Sequence, residues 1–130
     1  MADNSEVRDD LRYTANDEWI KVEGGNARVG ITDHAQGQMT DIVFVELPKV
    51  GTKVRRGDAI GQVESVKTVA AISAPVSGEI VEVNDGLDDA PQLFNESPYG
   101  DGWLAVIKMD DPSEYDGLLD ADGYRKKLSD

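Results

Sequence analysis

The pattern of apolar and polar residues along the chain predicts a protein built mainly from short β-strands. The stretches 19–23 and 27–31 are separated by Gly24-Gly25-Asn26 and are predicted to form a hairpin. The stretch 78–83 follows the turn at Pro75, and its apolar and polar residues alternate as in a strand. Apolar residues at consecutive positions in 41–47 and 103–109 predict two further strands, each buried on both faces.

A second hairpin is predicted from the stretches 59–64 and 68–73, which leaves Val66-Lys67 as the central pair of a tight turn. The pair lacks the Asn-Gly or Asp-Gly of the preferred two-residue loops, so a type I turn or a slightly longer loop is expected. Lys67 is thereby held in solvent on a stiff support. Taken alone, an exposed lysine on a turn is most often a solubilising residue.

Short helices are predicted at the margins of the strands. Thr32 is a suitable N-cap for a helix through about Gln38, because its hydroxyl can accept an orphan N–H of the first turn. A helical turn is expected around 87–90, and Asp111-Pro112-Ser113-Glu114 is typical of a helix start. A last helix, with Asp120 and Asp122 at its start, is predicted near the C-terminus. The residues expected to pack these C-terminal helices on the β-core are Leu118, Leu119, Tyr124 and Leu128.

The order of these elements resembles the biotinyl/lipoyl carrier fold, a flattened β-barrel or two-sheet sandwich in which a hairpin lysine carries a swinging cofactor. The stretch 51–60 has the pattern G-x-x-V-x-x-G-D-x-I, and the lysine hairpin follows it directly. Biotin carriers generally place methionine on both sides of the lysine, whereas Lys67 lies between Val66 and Thr68. The resemblance therefore implies lipoate, attached covalently to Lys67. The residues implied in recognition for lipoylation are Glu64, Ser65 and Val66.

Three further segments resemble the H protein of the glycine cleavage system. They are 13–19 (YTANDEW), 29–36 continuing into 41–48, and 95–104 (NESPYGDGWL). With the Lys67 segment they extend over roughly residues 13 to 108, in the order and with the gaps that the family shows. One departure is that the family's usual His-Glu-Trp is Asp17-Glu18-Trp19 here, so no role of that histidine is carried over.

The resemblance implies a non-catalytic carrier that shuttles the aminomethyl group of glycine. Its implied partners are the pyridoxal-phosphate-dependent glycine decarboxylase (P protein), the tetrahydrofolate-dependent aminomethyltransferase (T protein), dihydrolipoyl dehydrogenase (L protein) and a lipoate-attaching enzyme. In the family the loaded arm docks near the segments that here contain Glu18 and His34. Ala71 stands where an acidic residue is expected, four positions after the lysine.

Two other interpretations remain open from the sequence. One is a lipoyl relay, or a lipoyl carrier that serves 2-oxoacid dehydrogenases. The segments 13–19 and 97–103 argue against a detached lipoyl domain, because they resemble features outside the minimal lipoyl fold, but they leave relay open. The other interpretation is an unmodified structural or regulatory homologue.

Length and composition agree with one small domain. The chain has 130 residues, of which 1–12 are charged and aperiodic and are expected to be flexible, while 13–130 are expected to form a single lipoyl-binding domain. Neither a membrane-length apolar run nor a basic or apolar leader is found, so a cytoplasmic protein is expected. Without cysteine, and with His34 as the single histidine, a cysteine-based or multi-histidine metal site is excluded, and no metal is expected.

The charge balance is strongly acidic, with 26 Asp and Glu against 13 Lys and Arg and a net charge of −13. Such a balance disfavours nucleic acid and anionic membranes as partners. The simplest interpretation is an acidic carrier. The alternative is adaptation to a cytosol rich in salt, and in this respect the composition resembles that of haloarchaeal proteins.

If the acidic excess is an adaptation to salt, the melting temperature should rise steeply between about 0.1 M and 1 M salt, because the Debye length falls from about 10 Å to 3 Å. Differential scanning calorimetry at several salt concentrations measures this directly. A melting temperature that stays flat across the range would leave the acidic-carrier interpretation in its place.

Overall fold

The computed structural model describes residues 5–129 as a sandwich of two antiparallel sheets with short helices around it. The strands are β1 Arg12–Tyr13, β2 Glu18–Glu23, β3 Asn26–Ile31, β4 Ile42–Glu46, β5 Lys53–Val54, β6 Ala59–Ser65, β7 Val69–Ser73, β8 Gly78–Val83 and β9 Ala105–Met109. One sheet has the strand order β1-β2-β3-β9-β8-β5, and the other has the order β4-β6-β7. The predicted two-sheet sandwich is therefore confirmed.

The helices are short and lie outside the sheets. They are α1 Asp33–Met39, α2 Gly86–Asp89, α3 Leu93–Glu96, α4 Ser113–Asp116 and α5 Ala121–Ser129. Thr32 caps α1 as predicted, since its Oγ1 accepts a hydrogen bond of 3.1 Å from the Ala35 N–H. Asp111 Oδ1 accepts from the Ser113 N–H at the start of α4, while Glu114 reaches across to Ser77. α3 has no counterpart among the predicted elements. None of the helices described is long and apolar enough to cross a bilayer.

The main core lies between the two sheets. Alternate residues of the three-stranded sheet, Val45, Val63 and Ile72, face inward and are buried. The six-stranded sheet contributes the buried side chains Ile20, Ala27, Val29, Ile80, Ala105 and Ile107. The sandwich is thus held together by the inner faces of both sheets.

The outer face of the three-stranded sheet is exposed, which makes one prediction wrong. β4 was expected to be buried on both faces, but Val43 and Phe44 both face solvent. The pairing of β4 with β6 shifts register between Ile42 and Phe44, and such a bulge directs consecutive side chains away from the regular alternation. For β9 the equivalent prediction is confirmed over Ala105–Ile107, which are buried, whereas Lys108 is exposed.

A second buried cluster joins the C-terminal helix to the strand layer. The rings of Tyr13 and Tyr124 stack with centroids 4.4 Å apart and planes 5° apart. The Tyr124 hydroxyl donates to Asp17 Oδ1 at 2.9 Å and, since its proton is used there, accepts from the Thr32 hydroxyl at 2.8 Å. Lys127 Nζ contacts the same Asp17 oxygen at 3.3 Å. α5 is therefore fixed to the start of β2 and the cap of α1.

Residues 5–12 contact the body at several points. The Tyr99 hydroxyl donates to the Glu6 carbonyl at 2.6 Å, and the Arg8 N–H donates to the Tyr13 hydroxyl at 2.7 Å. Leu11 is buried beside the tyrosine pair. Residues 1–4 lie outside the described residues, and flexibility over 1–12 stays a prediction.

Gly30→Ala should destabilise the sandwich, because an added Cβ at this position would lie 2.7 Å from Trp19 Nε1 on the neighbouring strand. Trp19 is held in place, because it is buried and donates its Nε1–H to the Pro98 carbonyl at 2.8 Å. We expect a loss of about 1–3 kcal/mol in the free energy of unfolding, measured by urea denaturation. Gly25→Ala is the matched control, since an added Cβ there meets nothing within 4 Å. Equal stability of both variants would contradict the packing argument.

Candidate functional site

Lys67 lies at the tip of the hairpin formed by β6 and β7, as predicted. Glu64 pairs with Val69 across the two strands, and the Ser65 N–H donates to the Thr68 carbonyl at 2.8 Å. Val66 and Lys67 are therefore the central residues of the turn. Neither has a positive φ, which fits the expected type I geometry and excludes the type I′ turn of most two-residue hairpins.

The buried Ser65 hydroxyl fixes the shape of this turn. Its Oγ accepts from the N–H groups of Lys67 at 3.2 Å and Thr68 at 3.1 Å. The Val66 N–H donates to the Asp41 carbonyl at 3.0 Å, which ties the tip to the chain just before β4. Ser65 thus acts on Lys67 through the backbone, whereas the side chains of Glu64 and Val66 are left in contact with solvent.

The Lys67 side chain is exposed and uncommitted. Within residues 5–129 its ammonium takes part in no ion pair and no side-chain hydrogen bond. Exposed Val66 and Val69 lie beside it and offer apolar surface. An acyl group on Nζ would therefore displace no internal contact, and its hydrocarbon chain would find apolar side chains nearby. The hairpin tip fits a covalently attached lipoyl group.

Glu18 is a buried carboxylate, 3% exposed, at the start of β2. Its Oε1 accepts from the Thr14 hydroxyl at 2.6 Å, and its Oε2 accepts from the Ser73 N–H at 3.1 Å. Burial raises the pKa of Glu18 above its ordinary value, and the charge of Asp17 adds to this, while the two hydrogen bonds oppose it. Because Ser73 ends β7, Glu18 also links the two sheets.

Glu18 lines a cleft of about 330 Å³ beside the end of β7. The other polar residues that line it are Thr14, Asn16, Arg56 and Ser73. β7 has five residues, so at about 3.3 Å per residue it separates this cleft from the hairpin tip by roughly 16 Å. Side chains 69, 71 and 73 share one face of the strand. A group carried by Lys67 must therefore lie along β7 to reach Glu18.

His34 is close to this corner of the molecule but lies outside the cleft. It is the second residue of α1, and α1 follows Ile31, the residue that pairs with Glu18. The residues that line the cleft include Glu18 but not His34. The structure thus brings Glu18 and Ser73 together, and it places His34 on a neighbouring surface.

Several cleft residues had no signal strong enough to be singled out in the sequence. Thr14 lies in the segment 13–19, and Ser73 lies at the end of the strand predicted over 68–73. The contact between Ser73 and Glu18 joins residues 55 positions apart, which a local sequence pattern does not reveal. Arg56 comes from the turn before β6 and adds a cation to the lining. In the described part of the chain, no group of three or more His, Asp or Glu side chains is arranged to hold a metal ion.

Two antiparallel sheets with a solvent-exposed lysine at a hairpin tip define a lipoyl-type sandwich. The family model for the glycine cleavage H-protein matches residues 11–130, and the chain belongs to this family. The resemblance of its four sequence segments is thereby confirmed.

Individual relatives agree over nearly the whole chain. A glycine cleavage system H protein from Alteromonas mediterranea is 54% identical over 125 residues, which are 95% of this chain and 97% of that protein. A probable glycine cleavage system H protein from Haloarcula marismortui is 50% identical over 123 residues, 95% of this chain and 97% of that one. The crystal structure of a glycine cleavage system H protein from Mycobacterium marinum matches with a TM-score of 0.87 at 41% identity, covering 95% of this chain and 99% of that chain. A haloarchaeal origin stays a prediction.

Glu18→Gln should change how stability depends on pH. Because burial raises the pKa of Glu18 in the folded state, the folded protein binds this proton more tightly than the unfolded chain does. The stability of the wild type relative to Glu18→Gln should therefore be greatest below about pH 4.3, the ordinary pKa of glutamate, and fall as the pH rises through the folded-state pKa. Urea denaturation across this range measures the difference.

Glu82→Gln is the control for this experiment, because Glu82 is an exposed carboxylate on β8. The stability of the Glu82→Gln variant relative to the wild type should change little with pH. If the curve for Glu18→Gln ran parallel to that for Glu82→Gln, burial of the Glu18 carboxylate would have no energetic consequence.

Proposed function

We propose that this protein is the lipoyl carrier of the glycine cleavage system, with lipoate attached to Lys67 through an amide bond. The observation that carries the proposal is the exposed, uncommitted Lys67 ammonium at the tip of a Ser65-braced hairpin, in a chain that belongs to the glycine cleavage H-protein family. The protein itself catalyses no step and presents the attached group to other enzymes.

Attachment requires an amine that a second enzyme can reach. The Lys67 Nζ would attack the carbonyl carbon of an acyl adenylate, so that a C–N bond forms, the C–O bond to AMP breaks, and AMP and a proton are released. The turn supports this reaction because the Ser65 hydroxyl holds the Lys67 backbone while leaving the side chain free. Glu64, Ser65 and Val66 precede the lysine and are the residues we assign to recognition by the attaching enzyme, Ser65 through the shape that it gives the turn.

Held by Lys67, lipoate would supply a redox-active disulfide able to carry a one-carbon amine unit between the decarboxylase, the aminomethyltransferase and the dihydrolipoyl dehydrogenase. The contribution of this chain is to hold the attachment point still and to offer surfaces on which the arm rests. Lys67 gives the arm a pivot at the edge of the molecule, and the exposed face of β7 leads from this pivot towards Glu18.

We assign the Glu18 cleft to the free end of the arm. Each oxygen of the Glu18 carboxylate accepts one internal hydrogen bond and keeps further lone-pair capacity, so it can also accept a charge-assisted bond from a cationic amine. Thr14 and Ser73 hold the carboxylate in one orientation, and the cleft reduces contact of a bound group with bulk water. Ala71, which lies on β7 between Lys67 and the cleft, contributes no side-chain hydrogen-bond acceptor. Since His34 lies outside the cleft lining, its part in shaping the wall stays a prediction.

Lys67→Arg should abolish lipoylation without changing the fold, because a guanidinium does not form the required amide and the exposed turn tolerates the substitution. The protein is produced in cells that hold a lipoate-attaching enzyme and lipoate. Intact-mass measurement should show one lipoyl adduct on the wild type and none on the variant. Glycine-dependent NADH formation with added P, T and L proteins should fall to background in parallel.

Lys53→Arg is the matched control, since Lys53 is also exposed and is held in an ion pair of 3.2 Å with Glu79. This variant should be lipoylated like the wild type. Peptide mapping that placed the adduct on Lys49 or Lys53, or a wild type that carried no adduct under these conditions, would remove the assignment to Lys67.

A further inference from the structure

The large exposed apolar side chains are concentrated at one end of the three-stranded sheet. Six such side chains are exposed by 36% or more within the described residues, and four of them surround the hairpin tip. These four are Val43 at 50%, Phe44 at 52%, Val66 at 68% and Val69 at 51% exposure. The other two are Val22 and Val50. We call Val43, Phe44, Val66 and Val69 together the Phe44 surface.

The strand pairing shows that members of the Phe44 surface are neighbours. Phe44 pairs with Glu64, and Glu64 pairs with Val69, so the three side chains form one row across the sheet. Directly opposed residues in such a row have Cβ atoms about 4.5–5.5 Å apart. The Val66 N–H donates to the Asp41 carbonyl, which brings the turn against the chain that leads into Val43. The Phe44 surface and Lys67 are thus parts of one continuous face.

Core packing does not require apolar side chains on this outer face. The core of the three-stranded sheet is completed by the inward side chains of β4, β6 and β7, and the bulge in β4 turns both Val43 and Phe44 outward. Contiguous exposed apolar surface is uncommon on a protein that acts alone and marks sites of interaction.

The charges around the Phe44 surface restrict what can bind there. Glu64 lies within the row, and Glu46, two residues after Phe44, faces the same side. Residues 42–46 and 59–73 contain no cation other than Lys67. A second copy of this chain would bring the same carboxylates, and a net charge of −13, against its own. A surface with an apolar centre and lysine or arginine around it is complementary in both respects.

We propose that the Phe44 surface is the docking site for the enzyme that acylates Lys67, and that this enzyme contacts it through an apolar patch bordered by cationic side chains. The inference rests on the proposed attachment at Lys67. An enzyme that reaches Nζ must cover the hairpin tip, and the Phe44 surface is the apolar area directly beside it. Phe44 serves as the central anchor, since aromatic side chains carry much of the affinity in such contacts.

The test measures initial rates of acylation of the unmodified protein by a purified lipoate–protein ligase with ATP and lipoate. Formation of the adduct is followed by intact mass at several concentrations of the carrier. Phe44→Ser and Val69→Ser should each lower kcat/KM about tenfold, corresponding to roughly 1.4 kcal/mol, and mainly through a higher KM. Val50→Ser is the matched control, because Val50 is 60% exposed but lies in the loop between β4 and β5. It should behave like the wild type.

The dependence of the acylation rate on ionic strength tests the proposed charge complementarity between the two proteins. Added salt should lower kcat/KM of the wild type, and Glu64→Gln should weaken this dependence because one carboxylate of the face is lost. Melting temperatures are measured for all variants as a check on folding, and they should stay near that of the wild type because Phe44, Val50 and Val69 are exposed and Glu64 lies outside the core. Should Phe44→Ser fold poorly, Val69→Ser alone still decides the outcome.

Three results would overturn the inference. Rates for Phe44→Ser and Val69→Ser equal to that of the wild type would show that the surface is not contacted, and an equal loss in Val50→Ser would show that the effect is not local. A dimer in sedimentation velocity that Phe44→Ser dissociates would make a second copy the occupant. A wild type that gains no mass would instead refute the attachment at Lys67, on which the inference depends.

Discussion

A sheet of three strands in a two-layer sandwich can bury one of its faces, and much of this structure follows from that constraint. Val45, Val63 and Ile72 complete the core from the inner side. The outer face of this sheet can then carry residues for other roles without weakening the packing of the core. Because β6 and β7 stay paired up to Glu64 and Val69, directly before the turn, Lys67 lies at the end of a rigid support rather than on a mobile loop.

The sandwich needs a polar link as well as an apolar core, and Glu18 supplies it between the start of β2 and the end of β7. A buried carboxylate is costly unless its oxygens are satisfied, and Thr14 and Ser73 each satisfy one. The same pair of contacts keeps the carboxylate oriented towards a cleft. On the proposed function, the carboxylate that links the two sheets is thereby also the group that receives the end of the arm.

The sequence predicts best what local chemistry decides. The turn at Lys67 and the Thr32 cap each depend on neighbouring residues, and both agree with the structure. The exposure of Phe44 depends on a bulge and on the layer that the fold leaves uncovered, neither of which an apolar pattern reveals. The contact of Glu18 with Ser73 joins distant segments and required the tertiary structure. The resemblance to the family located Glu18, but not the hydrogen bonds that hold it.

On the proposed function, the hairpin tip changes its chemistry when it is modified. Amide formation removes the charge of Lys67, the single cation in residues 42–46 and 59–73, and leaves Glu46 and Glu64 on the face. The attached hydrocarbon chain also adds apolar surface beside Phe44. The modified carrier is therefore locally more acidic and more apolar than the unmodified one. A partner whose surface is apolar with a cationic border is therefore attracted more strongly by the modified carrier than by the unmodified one.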